Sequence, residues 1–100
     1  MNSKQQIQEN AYSRPYHWFI DKKTKGGRDY FGYLGICLSF LNLYDKETAR
    51  VLDAGCGDGR YLDELKKYGI KNIFGLDYSE RATTFSKIFV PEAMVVTADL

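Results

Sequence analysis

Residues 51–60 constrain this chain most: the short apolar run Val51-Leu-Asp-Ala54 leads directly into Gly55-Cys-Gly57-Asp-Gly59-Arg60, and an amphipathic stretch follows. Glycines at alternate positions let a backbone turn sharply and approach a ligand without interference from Cβ atoms. A short apolar run bounded by glycine reads as a buried parallel strand, so the segment reads as strand, tight turn, helix. In Arg60–Tyr68, Tyr61, Leu65 and Tyr68 share a face with Leu62 beside them. Asp63, Glu64, Lys66 and Lys67 are expected to face water, and Gly69 to supply a left-handed stop. Ile73-Phe-Gly-Leu76 reads as a second strand. Ser79 is placed to cap a third helix, with Ala82, Phe85, Ile88 and Phe89 on one side and Pro91 at its end. Ala93-Met-Val-Val-Thr-Ala98 reads as a third strand.

Residues 50–100 therefore read β-α-β-α-β. Such crossovers are right-handed and lay parallel strands side by side, with ligands bound outside the carboxyl ends of the strands. Each strand brings a carboxylate to that edge: Asp53, Asp77 and Asp99. The expected architecture is α/β, a Rossmann-like three-layer α-β-α sandwich. Residues 50–100 supply its N-terminal half, and residues 1–49 precede it as a helical, aromatic-rich cap segment.

Within that segment the first ten residues are polar and read as frayed. Tyr12-Ser-Arg-Pro-Tyr-His-Trp-Phe-Ile20 is a dense aromatic cluster, and Lys22 to Gly27 reads as a basic turn in water. From Arg28 to Tyr44 apolar residues fall at 31, 34, 38 and 41, with 33, 37, 40 and 44 filling out the face, which is the spacing of a packed amphipathic helix. Gly32 and Gly35 lower its propensity and suggest close approach to a neighbouring element. Cys37 reads as core. His17, the only histidine, reads as packed and hydrogen-bonded within its aromatic cluster.

Two ligand classes suit a glycine loop followed by a strand-end acid, Asp77, 20 residues past Gly57, where a carboxylate can accept from a ribose diol. A dinucleotide fingerprint needs G-x-G-x-x-G with pyrophosphate at the helix N-terminus, but counting from Gly55 the third glycine position holds Arg60. The loop also carries Asp53 and Asp58. A carboxylate about 4 Å from a phosphate is opposed by roughly 4 kcal/mol at an effective dielectric near 20. Asp58 reads better as a helix cap, but so acidic a loop suits a ligand carrying positive charge.

The residues Val-Leu-Asp-Ala-Gly-Cys-Gly-Asp-Gly-Arg at 51–60, Ile-Phe-Gly-Leu-Asp-Tyr-Ser-Glu at 73–80 and Ala-Asp-Leu at 98–100 together resemble the class I S-adenosylmethionine-dependent methyltransferases, in order and at that family's spacing over about half the chain. The resemblance implies S-adenosyl-L-methionine as cofactor and S-adenosyl-L-homocysteine as product. It implies that Gly55, Cys56 and Gly57 pass under the methionine part, Cys56 as a small residue without chemistry of its own. Asp53 would order the loop and meet the ammonium, and Arg60 would reach the cofactor carboxylate. Asp77 would hold the ribose hydroxyls, Tyr78 would cover an adenine face, and Asp99 with the Leu100 backbone would read the adenine edge. It allows Tyr12, Tyr16, His17 and Trp18 as pocket walls, and it names no catalytic base.

Fourteen Lys and Arg against thirteen Asp and Glu leave a net charge of +1, which gives no reason to propose a nucleic-acid partner. Two cysteines 19 apart without a Cys/His cluster give neither a disulfide framework nor a metal site. The longest apolar run is far short of the ~20 residues of a membrane span, so the expectation is a cytoplasmic protein acting on a small-molecule acceptor. Rival readings are a non-catalytic module that only binds the cofactor, an NAD(P)-binding oxidoreductase fragment, and aminopropyl transfer from the decarboxylated cofactor. The family's sheet places a fourth strand beside the first. The expectation is thus a chain forming the N-terminal part of a longer enzyme, with an exposed apolar edge at its first strand.

Overall fold

The computed structural model describes residues 1–99. In chain order the elements are α1 (Ser3–Ala11), a 3-10 turn (Tyr16–Phe19), α2 (Lys25–Leu41), β1 (Arg50–Ala54), α3 (Arg60–Tyr68), β2 (Asn72–Asp77), α4 (Glu80–Phe89) and β3 (Met94–Thr97). The three strands are parallel in the order β1-β2-β3. Val51 sits opposite Ile73, Asp53 opposite Gly75 and Gly75 opposite Val95, so these residues line one sheet face. Helices α3 and α4 cover that face through a core of Leu62, Leu65, Ile70, Ile73, Val90 and Val95. The other face carries Leu52, Met94 and Val96, each more than half exposed. Among the described residues β1 pairs on one side only.

Local chemistry accounts for most helix boundaries. The Ser79 hydroxyl accepts from the Ala82 N–H (3.0 Å) at the start of α4, and α4 ends at Phe89, two residues before Pro91. Gly69 closes α3 in the left-handed conformation.

The N-terminal segment departs from the sequence expectation. Residues 3–11 are helical, because Asn2 and Gln5 form a capping box that satisfies two otherwise free N–H groups. The basic turn is shorter than expected. Thr24 caps α2 by accepting from Gly27 (3.0 Å), which draws Lys25, Gly26 and Gly27 into the helix. Of the expected apolar face only Leu34 is buried, with Phe31, Leu38 and Leu41 partly covered. Cys37 is exposed rather than core, and a side chain at Gly32 or Gly35 would meet open space, so neither glycine marks a close approach.

Two helix faces also differ. Asp63 is buried and paired with Lys66 (3.3 Å) and Lys67 (3.0 Å), which compensates a carboxylate that the periodicity assigns to water. On α4 the sheet-facing residues are Ala82, Thr83 and Ser86, while Ile88 and much of Phe89 are exposed. Small side chains let α4 approach closely: Thr83 bonds Thr97 of β3 (2.6 Å), and Ser86 donates to the Gly57 carbonyl (2.7 Å).

Candidate functional site

The turn after β1 is held in place by its neighbours. The N–H groups of Gly55 and Cys56 both donate to the Leu76 carbonyl (2.6 and 2.9 Å), tying the turn to the end of β2. Gly57 and Gly59 have φ of +56° and +90°, values that L side chains rarely adopt. A Cβ at Gly57 would lie 2.6 Å from the Tyr12 hydroxyl, and one at Gly59 would lie 3.1 Å from the Cα of Ser86. Asp77 completes the arrangement: Oδ2 accepts from Gly57 N–H (2.9 Å) and Oδ1 from Ser79 N–H (2.9 Å). An ionised carboxylate has about four acceptor sites, so half of its capacity stays available to a ligand.

Two cavities open at the carboxyl edge of the strands, and Gly55 lines both. The larger, about 340 Å³, has Asp53, Gly55, Cys56 and Gly57 for its floor and Tyr12, Tyr16, His17, Tyr30 and Tyr61 as walls. The smaller, about 70 Å³, is bounded by Asp77, Tyr78 and Asp99. The structure therefore brings together around one edge the candidate cofactor residues Asp53, Gly55, Cys56, Gly57, Asp77, Tyr78 and Asp99 and the candidate wall residues Tyr12, Tyr16 and His17. Leu100 lies outside the described residues.

Asp53 and Cys56 respond differently to this setting. Burial, reinforced by the neighbouring Asp77 charge, pushes the Asp53 carboxyl up to about 6. A cation in the larger cavity would offset both causes. Burial likewise pushes the Cys56 thiol up to about 12, which leaves it un-ionised and without nucleophilic character.

Two expected roles are overturned. Asp58 does not cap α3, whose start has no side-chain cap. Asp58 is 1% exposed, and its Oδ2 accepts from the His17 N–H (3.0 Å) and lies 3.1 Å from His17 Nδ1. Arg60 lines neither cavity: its guanidinium sits over Trp18 (5.3 Å) and Phe31 (5.1 Å) and donates to the Trp18 carbonyl (3.4 Å). Trp18 lines neither cavity: it packs against the hydrophobic core and on Phe89 (4.9 Å), with its indole N–H on the Asp58 carbonyl (2.8 Å). Tyr30 and Tyr61 were missed as cavity walls. Their helical spacing marked them only as positions on α2 and α3, and the two rings meet across those helices (4.5 Å).

The fold and this edge define a Rossmann-like α/β module with carboxylate-lined cavities at the carboxyl ends of its strands. A methyltransferase-domain family model matches residues 28–95, and the chain belongs to the class I S-adenosylmethionine-dependent methyltransferase family. Among similar proteins is EEF1A lysine methyltransferase 2 of Danio rerio, 41% identical over 49 residues, which covers 48% of this chain and 21% of that protein. The Homo sapiens protein of the same name is 53% identical over 38 residues, covering 38% of this chain and 16% of the relative. A solved TehB-like SAM-dependent methyltransferase from Corynebacterium glutamicum superposes with a TM-score of 0.51 at 33% identity, over 61% of this chain and 33% of the other. The chain thus spans a third or less of the relatives it matches. No helix among the described residues is long and apolar enough to cross a membrane, and none of these residues form a group of three or more His, Cys, Asp or Glu placed to hold a metal.

Proposed function

We propose that this chain is the cofactor-binding portion of an S-adenosylmethionine-dependent methyltransferase, with residues 1–49 as a cap over residues 50–100. The observation that carries the reading is the pair of cavities that both border Gly55, one offering Asp53 among aromatic walls and the other Asp77, Tyr78 and Asp99. The bound cofactor would supply an electrophilic sulfonium methyl group. Asp53 would pair with its ammonium, and the glycine floor of Gly55, Cys56 and Gly57 would let the amino-acid end lie close to the backbone. The free acceptor sites of Asp77 would take the ribose hydroxyls. Tyr78 would cover the adenine and Asp99 accept from its amino group. The tyrosine walls would exclude water and limit the cofactor's motion, which matters because methyl transfer depends on in-line approach of nucleophile and methyl.

For the acceptor, the relatives named for lysine methylation support a protein amine over the small molecule suggested by the sequence. A dinucleotide is disfavoured because Asp53 faces the loop's cavity where pyrophosphate would lie. Calorimetric titration with S-adenosylhomocysteine, with NAD as control and Asp77→Asn as second protein, tests the cofactor reading. Saturable binding of the first ligand alone, weakened in the variant, is expected; binding of NAD instead would overturn it. Transfer of a labelled methyl group to purified EEF1A, against free lysine as small-molecule control, tests the acceptor.

A further inference from the structure

The larger cavity has one carboxylate, Asp53, and a single lining group able to carry positive charge, His17. Arg60, the expected partner of a ligand carboxylate, is held between Trp18 and Phe31 outside it. His17 is also fixed in place. Its backbone N–H and Nδ1 both engage Asp58 Oδ2, and its ring lies 4.2 Å from that of Tyr16 and 5.4 Å from that of Tyr30. An ionised Asp58 requires the proton on Nδ1, so Nε2 is the nitrogen left for a ligand. Asp58 is buried, and its Oδ1 has no hydrogen-bond partner among the described residues. A buried carboxylate so incompletely paired favours a cation beside it.

We propose that His17, positioned by Asp58, recognises the carboxylate of the cofactor's amino-acid end and selects the carboxylated cofactor over its decarboxylated form. The inference rests on the cofactor reading above. An α-amino acid is a zwitterion, and the cavity offers the complementary pair: Asp53 for the ammonium and the His17 imidazolium, through Nε2–H, for the carboxylate. The other titratable groups around His17 do not compete. Tyr12 at the end of α1 and Tyr30 of α2 are held by burial well above the ordinary phenol range and stay neutral. Tyr16 accepts from the Gln8 amide (3.0 Å), the Tyr61 ring packs on Tyr30 (4.5 Å), and the carboxylates nearby are Asp58, Asp53 and Asp21, the last lining a second cavity that His17 also borders.

Calorimetry on the full chain tests this with S-adenosylhomocysteine and its decarboxylated counterpart, using wild type, His17→Gln and Asp58→Asn. Thermal unfolding of each variant reports its fold. Wild type is expected to prefer the carboxylated ligand about 10- to 100-fold, as a charge-assisted hydrogen bond would give. His17→Gln removes that preference, yet leaves the decarboxylated ligand within about 2-fold. Asp58→Asn keeps an acceptor for the His17 N–H and is expected to reduce the preference without abolishing it. Equal weakening of both ligands by His17→Gln, or a preference that survives it, overturns the proposal. If neither ligand binds folded wild type, the cofactor reading falls and this inference with it.

Discussion

Asp77, at the end of β2, holds Gly57 in the turn after β1 by accepting its N–H at 2.9 Å, while its second oxygen accepts Ser79 N–H at the same distance. One carboxylate thus sets the spacing between two strand-to-helix turns, and the two cavities keep a common geometry through it. Asp77→Ala leaves two buried N–H groups without partners and is expected to destabilise the chain by about 2–4 kcal/mol. Asp77→Asn keeps one acceptor and loses the other, and should cost about half as much. Urea unfolding of the two variants checks the order, and equal losses would count against the two-bond account.

Gly57 is required for two separable reasons, its positive φ and the Tyr12 hydroxyl above it. Gly57→Ala is expected to cost roughly 2 kcal/mol or more, about 1–2 of it from the backbone. Adding Tyr12→Phe removes the atom at 2.6 Å and leaves the next at 3.6 Å, so the double variant should regain part of the loss. A double-mutant cycle by denaturant unfolding that shows no coupling would rule out the contact.

Asp53 makes stability depend on pH. Its carboxyl is raised from 3.8 to about 6, so the folded chain holds a proton that the unfolded chain has released between those values. Stability therefore falls as pH rises from about 4 to about 6 and stays reduced above that range. Asp53→Asn mimics the protonated form and is expected to gain roughly 2–3 kcal/mol at pH 7, vanishing below about pH 4. The same variant should weaken S-adenosylhomocysteine, because the ammonium loses its counter-charge. Thermal melts across pH, with calorimetry at pH 7, measure both effects.

The sheet face carrying Leu52, Met94 and Val96 is exposed beside the edge of β1 that pairs with no strand among the described residues. Such a face with free backbone donors and acceptors favours association. The 100-residue chain is expected to self-associate with rising concentration, and Leu52→Lys with Val96→Lys should shift it toward monomer in sedimentation velocity. An unchanged distribution would mean that association, if seen, uses another surface.

The β-α-β-α-β half was legible because its signals are local. Short apolar runs, the Ser79 cap and Gly69 each act within a few residues, and Asp53, Asp77 and Asp99 reach one edge because parallel strands must align. Side-chain partners across long separations were not. Asp58 lies one residue before the Gly59 start of α3 and pairs with a histidine 41 positions earlier, and Arg60 packs on Trp18, 42 positions away. No spacing rule along the chain encodes such contacts. They arise when α1 and the aromatic turn fold across the glycine loop, and the competition between water and a buried partner then decides each side chain. Periodicity told which residues share a helix face, but only packing decided that Asp63 and Ser86 are buried while Cys37 and Ile88 remain exposed.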